Sequence, residues 1–433
     1  MEFSGHNILF ASRNNNKRFI VNLLSGNADL LDEKTYTAIR DKDTLDPLLI
    51  EKGYVVDPAA EKKLFRQKYL AFLDERERDE IQLFLVTNYS CNFNCSYCYQ
   101  ASYKQGKEKL TREVVDSFFN HILNRFKDKR KYITLFGGEP LLASPSQKEI
   151  MAYITAKAQH HDIEVSVVTN GYHLHEYIPI LAKAKIREIQ VTLDGPEEIH
   201  DKRRPLKNGK GTFQAIVKGI DEAIANKIPI NLRVVVDKDN ISTLQALADF
   251  AIEKGWTSSG LLKTQLGRNY ELHECQTTRD KLYSRLELYQ DIYELIRQHP
   301  RFVEFHKPAY SVSKFLFDHG ELPPPLFDAC TGTKTEWAFD YTGRIYACTA
   351  TVGKEGEELG TFFPEAKTNE EEIETWSNRD ILSIPKCKTC PVSLACGGGC
   401  ASVAKNQNGV LNSHDCRPVK ELLELGFGSY YKD

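Results

Sequence analysis

The sequence predicts an α/β fold, and three observations carry that reading. Between about residues 81 and 265 the runs IQLFLVTN, KYITLFGG, IEVSVVTN, REIQVTLDG and INLRVVVD are short and apolar. Most are separated by stretches of helical period, so strands alternate with helices and build a parallel sheet with all strand C-termini on one rim. The residues that carry chemistry then fall on that rim: CNFNCSYC follows the first run, GGEP ends the second, TNG (169–171) the third and TLDG (192–195) the fourth.

Each segment has a local reason for its reading. Residues 1–80 form a lead-in module: NILFA and RFIVNLLSG read as a strand pair with Gly26 at a turn, Asp32 opens a helix, and EKGYVV supplies a last strand. That order is winged-helix-like. Residues 81–270 hold the alternating pattern. Thr111 caps its first helix, whose Val114, Val115, Phe118, Phe119, Ile122, Leu123 and Phe126 share one stripe. A second helix begins at Thr212 and runs through Phe213, Ile216, Val217, Ile220 and Ile224. Residues 271–329 are charged and helical, with a loop at LPPPL, and read as a bridge. Over residues 330–433 the character changes to a hairpin signal, WAFDYTGRIYAC, followed by a cysteine-rich end.

The totals narrow the function. A chain of 433 residues is long for one core, and two or three domains are expected. With 41% hydrophobic and 27% charged residues it can bury those cores. A formal net charge of −3 lacks the basic excess of a bulk nucleic-acid or membrane-surface binder, so a small or peptidic substrate is expected. The start, MEFSGHNILFASRNNNKRF, has no signal-peptide pattern, and no apolar run is long enough to span a bilayer. The expected location is cytoplasmic. In that reducing compartment eleven cysteines point to metal ligands or catalytic thiols rather than disulfides.

Cys91, Cys95 and Cys98 share one short loop after the first strand. Three thiolates can hold three irons of a cubane [4Fe–4S] cluster and leave the fourth iron open, whereas electron-transfer ferredoxins use four cysteines. The residues alone leave two alternatives: a zinc ion with a fourth ligand from elsewhere, and cysteines that are simply buried. The CxxxCxxC spacing, with Tyr97 before its last cysteine and GGEP (Gly137, Gly138, Glu139, Pro140) at the next strand end, resembles the radical S-adenosylmethionine enzymes. The resemblance covers roughly residues 81 to 265.

It implies a partial (β/α)6 TIM-like barrel, with S-adenosylmethionine chelating the open iron. Tyr97 and the GGEP residues would form the cofactor site, the glycines admitting backbone close to the cofactor amine and Glu139 offering it an anionic acceptor. Thr169 and Asn170 would reach the ribose, and Thr192 the amino-acid end. Arg204, chosen over Arg203, would pair the cofactor carboxylate. In such enzymes a reduced cluster passes one electron to the sulfonium, and a 5′-deoxyadenosyl radical then removes hydrogen from an unactivated C–H bond. Arg233 is costly to bury inside INLRVVVD unless paired, so it faces either the barrel interior and a carboxylate, or a surface edge.

The remaining cysteines resemble the SPASM extension. Cys330, twelve residues, Gly343, four residues and Cys348 are followed by Cys387, Cys390, Cys396 and Cys400 as CxxCx5Cx3C, and by Cys416. The CxxC pairs alone leave zinc open, while Pro391 and the Gly397–Gly399 run suit a bulky cluster. Carrying over the interleaved ligands of relatives assigns Cys387, Cys390, Cys396 and Cys416 to one auxiliary [4Fe–4S] cluster. Cys330, Cys348 and Cys400 go to another, which makes three clusters in all. That last set is one ligand short: sulfatase-maturating relatives have a cysteine a few residues earlier, where this chain has ELPPPLFDA. Either Cys275 completes it or an open iron takes a substrate thiolate.

SPASM-bearing enzymes mostly act on peptides or proteins. The resemblance therefore implies a maturase that installs a crosslink, a thioether first, in a ribosomally made precursor peptide. The lead-in module would grip the leader segment by strand addition, and a flavodoxin or ferredoxin would donate electrons. A sulfatase-type, formylglycine-forming maturase and a carbon–carbon crosslinking enzyme are the enzymatic alternatives. A peptide-binding iron–sulfur module without radical chemistry is the non-enzymatic one. No acid or base is assigned, since Asp340 reads first as a hairpin-turn residue.

Overall fold

A computed structural model of the protein describes residues 1–41, 45–100, 109–269 and 281–432. The lead-in module holds β1 (Glu2–Phe3), β2 (Ile8–Ala11), β3 (Arg18–Asn22), β4 (Asn27–Leu31) and β5 (Val55–Val56). β2, β3 and β4 form an antiparallel meander, and β1 pairs with β5. The strand pair read from sequence is thus a three-stranded sheet, because NADLL has weak strand propensity and gains its conformation from pairing with β3. Asp32 caps the helix Glu33–Arg40, accepting from the Thr35 N–H at 2.7 Å.

Six parallel strands follow: β6 (Ile81–Val86), β7 (Lys131–Phe136), β8 (Glu164–Thr169), β9 (Ile186–Thr192), β10 (Ile230–Val236) and β11 (Leu262–Arg268). They neighbour one another in chain order, which gives the partial (β/α)6 barrel that the sequence predicts. β11, LKTQLGR, lies at the sheet edge with no buried residue, and so carries no apolar run to read. Along β6–β10 one set of alternate side chains, such as Leu83, Leu85, Ile133, Val165, Ile189 and Leu232, is fully buried under the outer helices. Thr111 caps the helix Arg112–Arg125, which buries Val114, Val115, Phe118, Phe119 and Ile122. The helix Phe213–Ala225 buries Phe213, Ile216, Val217 and Ile220 in the same way.

The bridge contains the helices Arg285–Gln298 and Ser313–His319. Cys275 lies outside the described residues. Beyond the bridge, β12 (Glu336–Asp340) and β13 (Arg344–Tyr346) make the hairpin read from WAFDYTGRIYAC. β12 also pairs in parallel with β6, Glu336 opposite Gln82, so the cysteine-rich end continues the barrel sheet rather than hanging from it. β14 (Glu358–Thr361) and β15 (Lys367–Thr368) extend that sheet to ten strands. Asp340 is buried and accepts from the hydroxyls of Tyr89 and Tyr346 and from the backbone of Thr342 and Arg344. Its oxygens are committed to holding the hairpin.

The lead-in sheet is not packed alone. Ile8, Phe10, Phe19 and Val21 share one core with Phe327, Ile381, Leu423 and Phe427 of the C-terminal half. The Phe427 ring stands 4.8 Å from Phe10, 4.7 Å from Phe19 and 5.1 Å from Phe317. Phe427→Ala opens a cavity between the two halves and should cost about 3–5 kcal/mol. A lower denaturation midpoint with early proteolysis in residues 1–80 checks this; an unchanged midpoint contradicts it.

Candidate active site

The cysteine loop is fixed by backbone contacts on both sides. Toward β7, the N–H of Gly138 donates to the carbonyl of Asn88 and that of Glu139 to the carbonyl of Ser90, each at 2.8 Å. A Cβ on Gly137, whose φ is +146°, would stand 2.3 Å from the Asn88 carbonyl oxygen, and one on Gly138 2.3 Å from that of Ser90. Only glycine permits this approach. Toward the far side, Asn94 N–H donates to Pro205 at 2.8 Å and Ser96 N–H to Arg203 at 3.1 Å. Cys91 Sγ accepts from Phe93 N–H at 3.4 Å and Asn170 Nδ2 at 3.7 Å.

Glu139 behaves differently from its reading in the sequence. It is buried and does not line the cavity described below, nor does Pro140. Its carboxylate accepts from Thr169 Oγ1 at 2.6 Å, Asn170 N–H at 2.6 Å and Leu141 N–H at 2.8 Å. The side chain therefore braces the end of β7 against the end of β8, because buried carboxylate oxygens take the nearest donors. Burial pushes its carboxyl up to about 7 against the pull of those three bonds.

On the opposite side of the loop lies a charged knot. Asp194, fully buried, accepts from Tyr97 Oη, from Arg203 Nε at 3.4 Å and from Val235 N–H at 3.0 Å. Arg203 also donates to Asp237 at 2.8 Å, so its charge is satisfied internally. Arg204 donates to Tyr97 Oη, while its buried Nε has no partner among the described residues. Sequence reasoning used only the Thr192 of TLDG and missed Asp194. The signal was a lone acid two residues past a strand end.

Cys91, Cys95, Cys98, Tyr97, Gly137, Gly138, Thr169, Asn170, Thr192 and Arg204 all line one cavity of about 460 Å³ at the barrel rim. Arg203 does not. Its deeper wall is formed by the other alternate strand positions, among them Gln82, Thr134, Ser166, Glu188, Gln190 and Arg233. Polar residues at every second place in otherwise apolar parallel strands were the sequence signal for this interior. Three buried polar atoms on the wall, Arg204 Nε, Gln100 Nε2 and Ser166 Oγ, lack partners among the described residues.

That donor set fits the groups the resemblance implies. Burial pushes the Cys91 thiol up to about 12, and burial raises Cys95 with Arg204 pulling it back. A thiolate there needs added positive charge, which iron supplies. The orphan donors suit a polar, carboxylate-bearing cofactor. Among the described residues no three Cys, His, Asp or Glu side chains converge as the ligands of one metal ion.

The other cysteines sort by proximity. Beyond its own burial, Cys348 is raised by Glu336, Cys330 and Cys400. Burial raises Cys387 to about 11, helped by Cys396, Cys390 and Cys416. Arg379, fully buried, donates to the carbonyls of Gly398, Gly399, Leu411 and Ser413 and thereby shapes the turn before Cys400. Thr349 and Ala350, next to Cys348, line the rim cavity, so the smaller set borders the first site.

Gly138→Ala should displace the root of the cysteine loop by lodging a methyl group against Ser90. After anaerobic reconstitution, iron and sulfide counts should fall by about one [4Fe–4S] cluster relative to the parent protein. Full iron content with an unchanged reduced-cluster spectrum would contradict the bracing role.

The model of the radical SAM superfamily matches residues 85–251. A GTP 3′,8-cyclase of Campylobacter jejuni subsp. doylei is 27% identical over 187 residues, 42% of this chain and 55% of the cyclase, so the match spans little more than half of that relative. The structure of anSMEcpe with bound AdoMet and a Kp18Cys peptide superposes with a TM-score of 0.62 at 18% identity, covering 81% of this chain and 96% of that one. Streptococcus suis SuiB bound to its precursor peptide SuiA gives 0.54 at 15% identity, covering 95% of this chain and 98% of that one. At those identities the two likenesses establish the fold. With the family match over the barrel and the CxxxCxxC loop set in its cavity, residues 85–251 form a radical SAM domain, a family that implies a [4Fe–4S] cluster and S-adenosylmethionine.

Proposed function

We propose that the enzyme installs a crosslink, by preference a thioether, in a ribosomally synthesised precursor peptide. The observation that carries this reading is the three-thiol set Cys330, Cys348 and Cys400 at the border of the radical site. With three protein ligands, an auxiliary cluster there offers an open iron to a substrate thiolate. Cys387, Cys390, Cys396 and Cys416 hold the other auxiliary cluster, three clusters in all.

When bound, these groups supply one-electron chemistry: cleavage of the sulfonium to a hydrogen-abstracting radical, and a sink for the electron released as carbon bonds to sulfur. The chain's own residues position the partners. Arg204 offers its unpaired Nε to the cofactor carboxylate. Gly137 and Gly138 expose backbone to the amino-acid end, and Thr192, Thr169 and Asn170 line the same wall. Tyr97 fixes Arg204 through its hydroxyl. A flavodoxin- or ferredoxin-type protein is the fitting electron donor.

Leader binding falls to the lead-in module. Among the described residues β4 pairs only with β3 and so leaves one sheet edge for strand addition, with Leu30 on that strand exposed. The likeness to SuiB, bound there to a precursor peptide, extends over 95% of this chain and supports this role. The higher TM-score of anSMEcpe favours a second reading, a formylglycine-forming maturase. The absence of cysteine in ELPPPLFDA weighs against it. Among the described residues no helix is long and apolar enough to cross a membrane.

Coexpression with a cysteine-bearing precursor peptide and mass spectrometry tests the reading. The expected product has lost two hydrogens and its alkylatable thiol. Loss of two hydrogens with the thiol intact would assign a carbon–carbon bond, and a mass change to formylglycine would assign the second reading. A separate count of iron and sulfide in Cys275→Ala should match the parent; a lost cluster would sink the open-iron idea.

A further inference from the structure

The rim cavity has a second cationic pole that the reaction described above leaves unused. Arg233 points from β10 into the cavity, as do its same-face neighbour Val235 and, one strand over, Thr192, which stands opposite Arg233 in the β9–β10 register. Its guanidinium lies along β11, where a Cβ on Gly267 would meet Nη2 at 3.0 Å, so the glycine leaves room for the side chain to extend. Arg268, also on the wall, is tied to the Tyr283 carbonyl at 2.6 Å.

Among the described residues the cavity wall offers no partner for this charge. Among the described residues the Arg233 side chain makes no hydrogen bond and no ion pair, although the residue is half-buried; its backbone carbonyl accepts from Leu193 N–H at 3.0 Å. Glu188, the one carboxylate on the described wall, is already paired with Lys263 and accepts from Asn231. Arg204 belongs to the separate knot of Tyr97 and Asp194 on the cysteine side. A half-buried guanidinium with five donors and no acceptor is an unfilled bidentate site for a planar anion.

We propose that Arg233 is a specificity-determining residue that binds a carboxylate of the peptide substrate, selecting a core segment with an Asp or Glu side chain or a free C-terminus close to the modified residue. The proposal rests on the peptide reading given above. A carboxylate reaching Arg233 enters across the open rim, with Gly267 keeping its approach clear. The other source of the same chemistry is the carboxylate of the cofactor itself, and the test separates the two.

Cluster-reconstituted enzyme, anaerobic and saturated with S-adenosylmethionine, is titrated calorimetrically with N-acetyl-Gly-Asp-Gly-amide and with its Asn twin. The Asp probe should bind roughly tenfold more tightly, the scale of one charge-assisted pair. Arg233→Gln should erase the preference and Arg233→Lys keep part of it, a charge rescue that a merely structural role would not produce. Equal affinities of the two probes for the parent enzyme would overturn the proposal and leave the peptide reading standing. A preference that survives in Arg233→Gln, with S-adenosylmethionine affinity lost instead, would overturn it in favour of the cofactor carboxylate. Binding of neither probe would overturn it together with the peptide reading.

Discussion

The close approach of two backbones, Gly137–Gly138 against Asn88–Ser90, is the contact on which the site depends. Two peptide hydrogen bonds across that seam set where the cysteine loop leaves the barrel. Any side chain at either glycine would force the strands apart by more than an ångström, since carbonyl oxygens do not tolerate a carbon at 2.3 Å. The motif is therefore first a packing solution. Its second part, Glu139, extends the same seam to β8 through Thr169 and Asn170. Three strand ends are locked into one platform, and the thiols stand on it.

Charge is distributed around that platform so that most of it is answered within the protein. Asp194, Arg203 and Asp237 form a buried chain that leaves no spare charge on Arg203. Arg379 spends its donors on four carbonyls beside the auxiliary cysteines. Among the described residues Arg204 and Arg233 retain unmatched side-chain donors, and both face the cavity. Polar groups without partners are costly to desolvate, and on a cavity wall a ligand that hydrogen-bonds to them offsets that cost.

The enzyme is also more continuous than a string of domains. Pairing of β12 with β6 puts the hairpin into the barrel sheet, and Cys348, which follows that hairpin, is thereby held at the rim. The lead-in sheet is clamped from the other side by Phe427 and its neighbours. The lead-in sheet thus shares a core with the C-terminal part, and the C-terminal part shares a sheet with the barrel.

By itself the sequence determined the alternation of strand and helix, the rim on which GGEP, TNG and TLDG fall, and both groups of cysteines. Each of these depends on local spacing: a period of two or 3.6 for the elements, and fixed intervals for thiols. Asp32 and Thr111 announced their helices through capping, which is likewise local. Tertiary structure alone decided what those residues touch. It turned Glu139 inward as a brace, separated Arg203 from Arg204 although they are adjacent, and left the Arg233 side chain without a partner among the described residues. It also made strands of NADLL and LKTQLGR, whose side chains predict little. Such outcomes follow from contacts between residues far apart in the chain, and no short-range pattern encodes them.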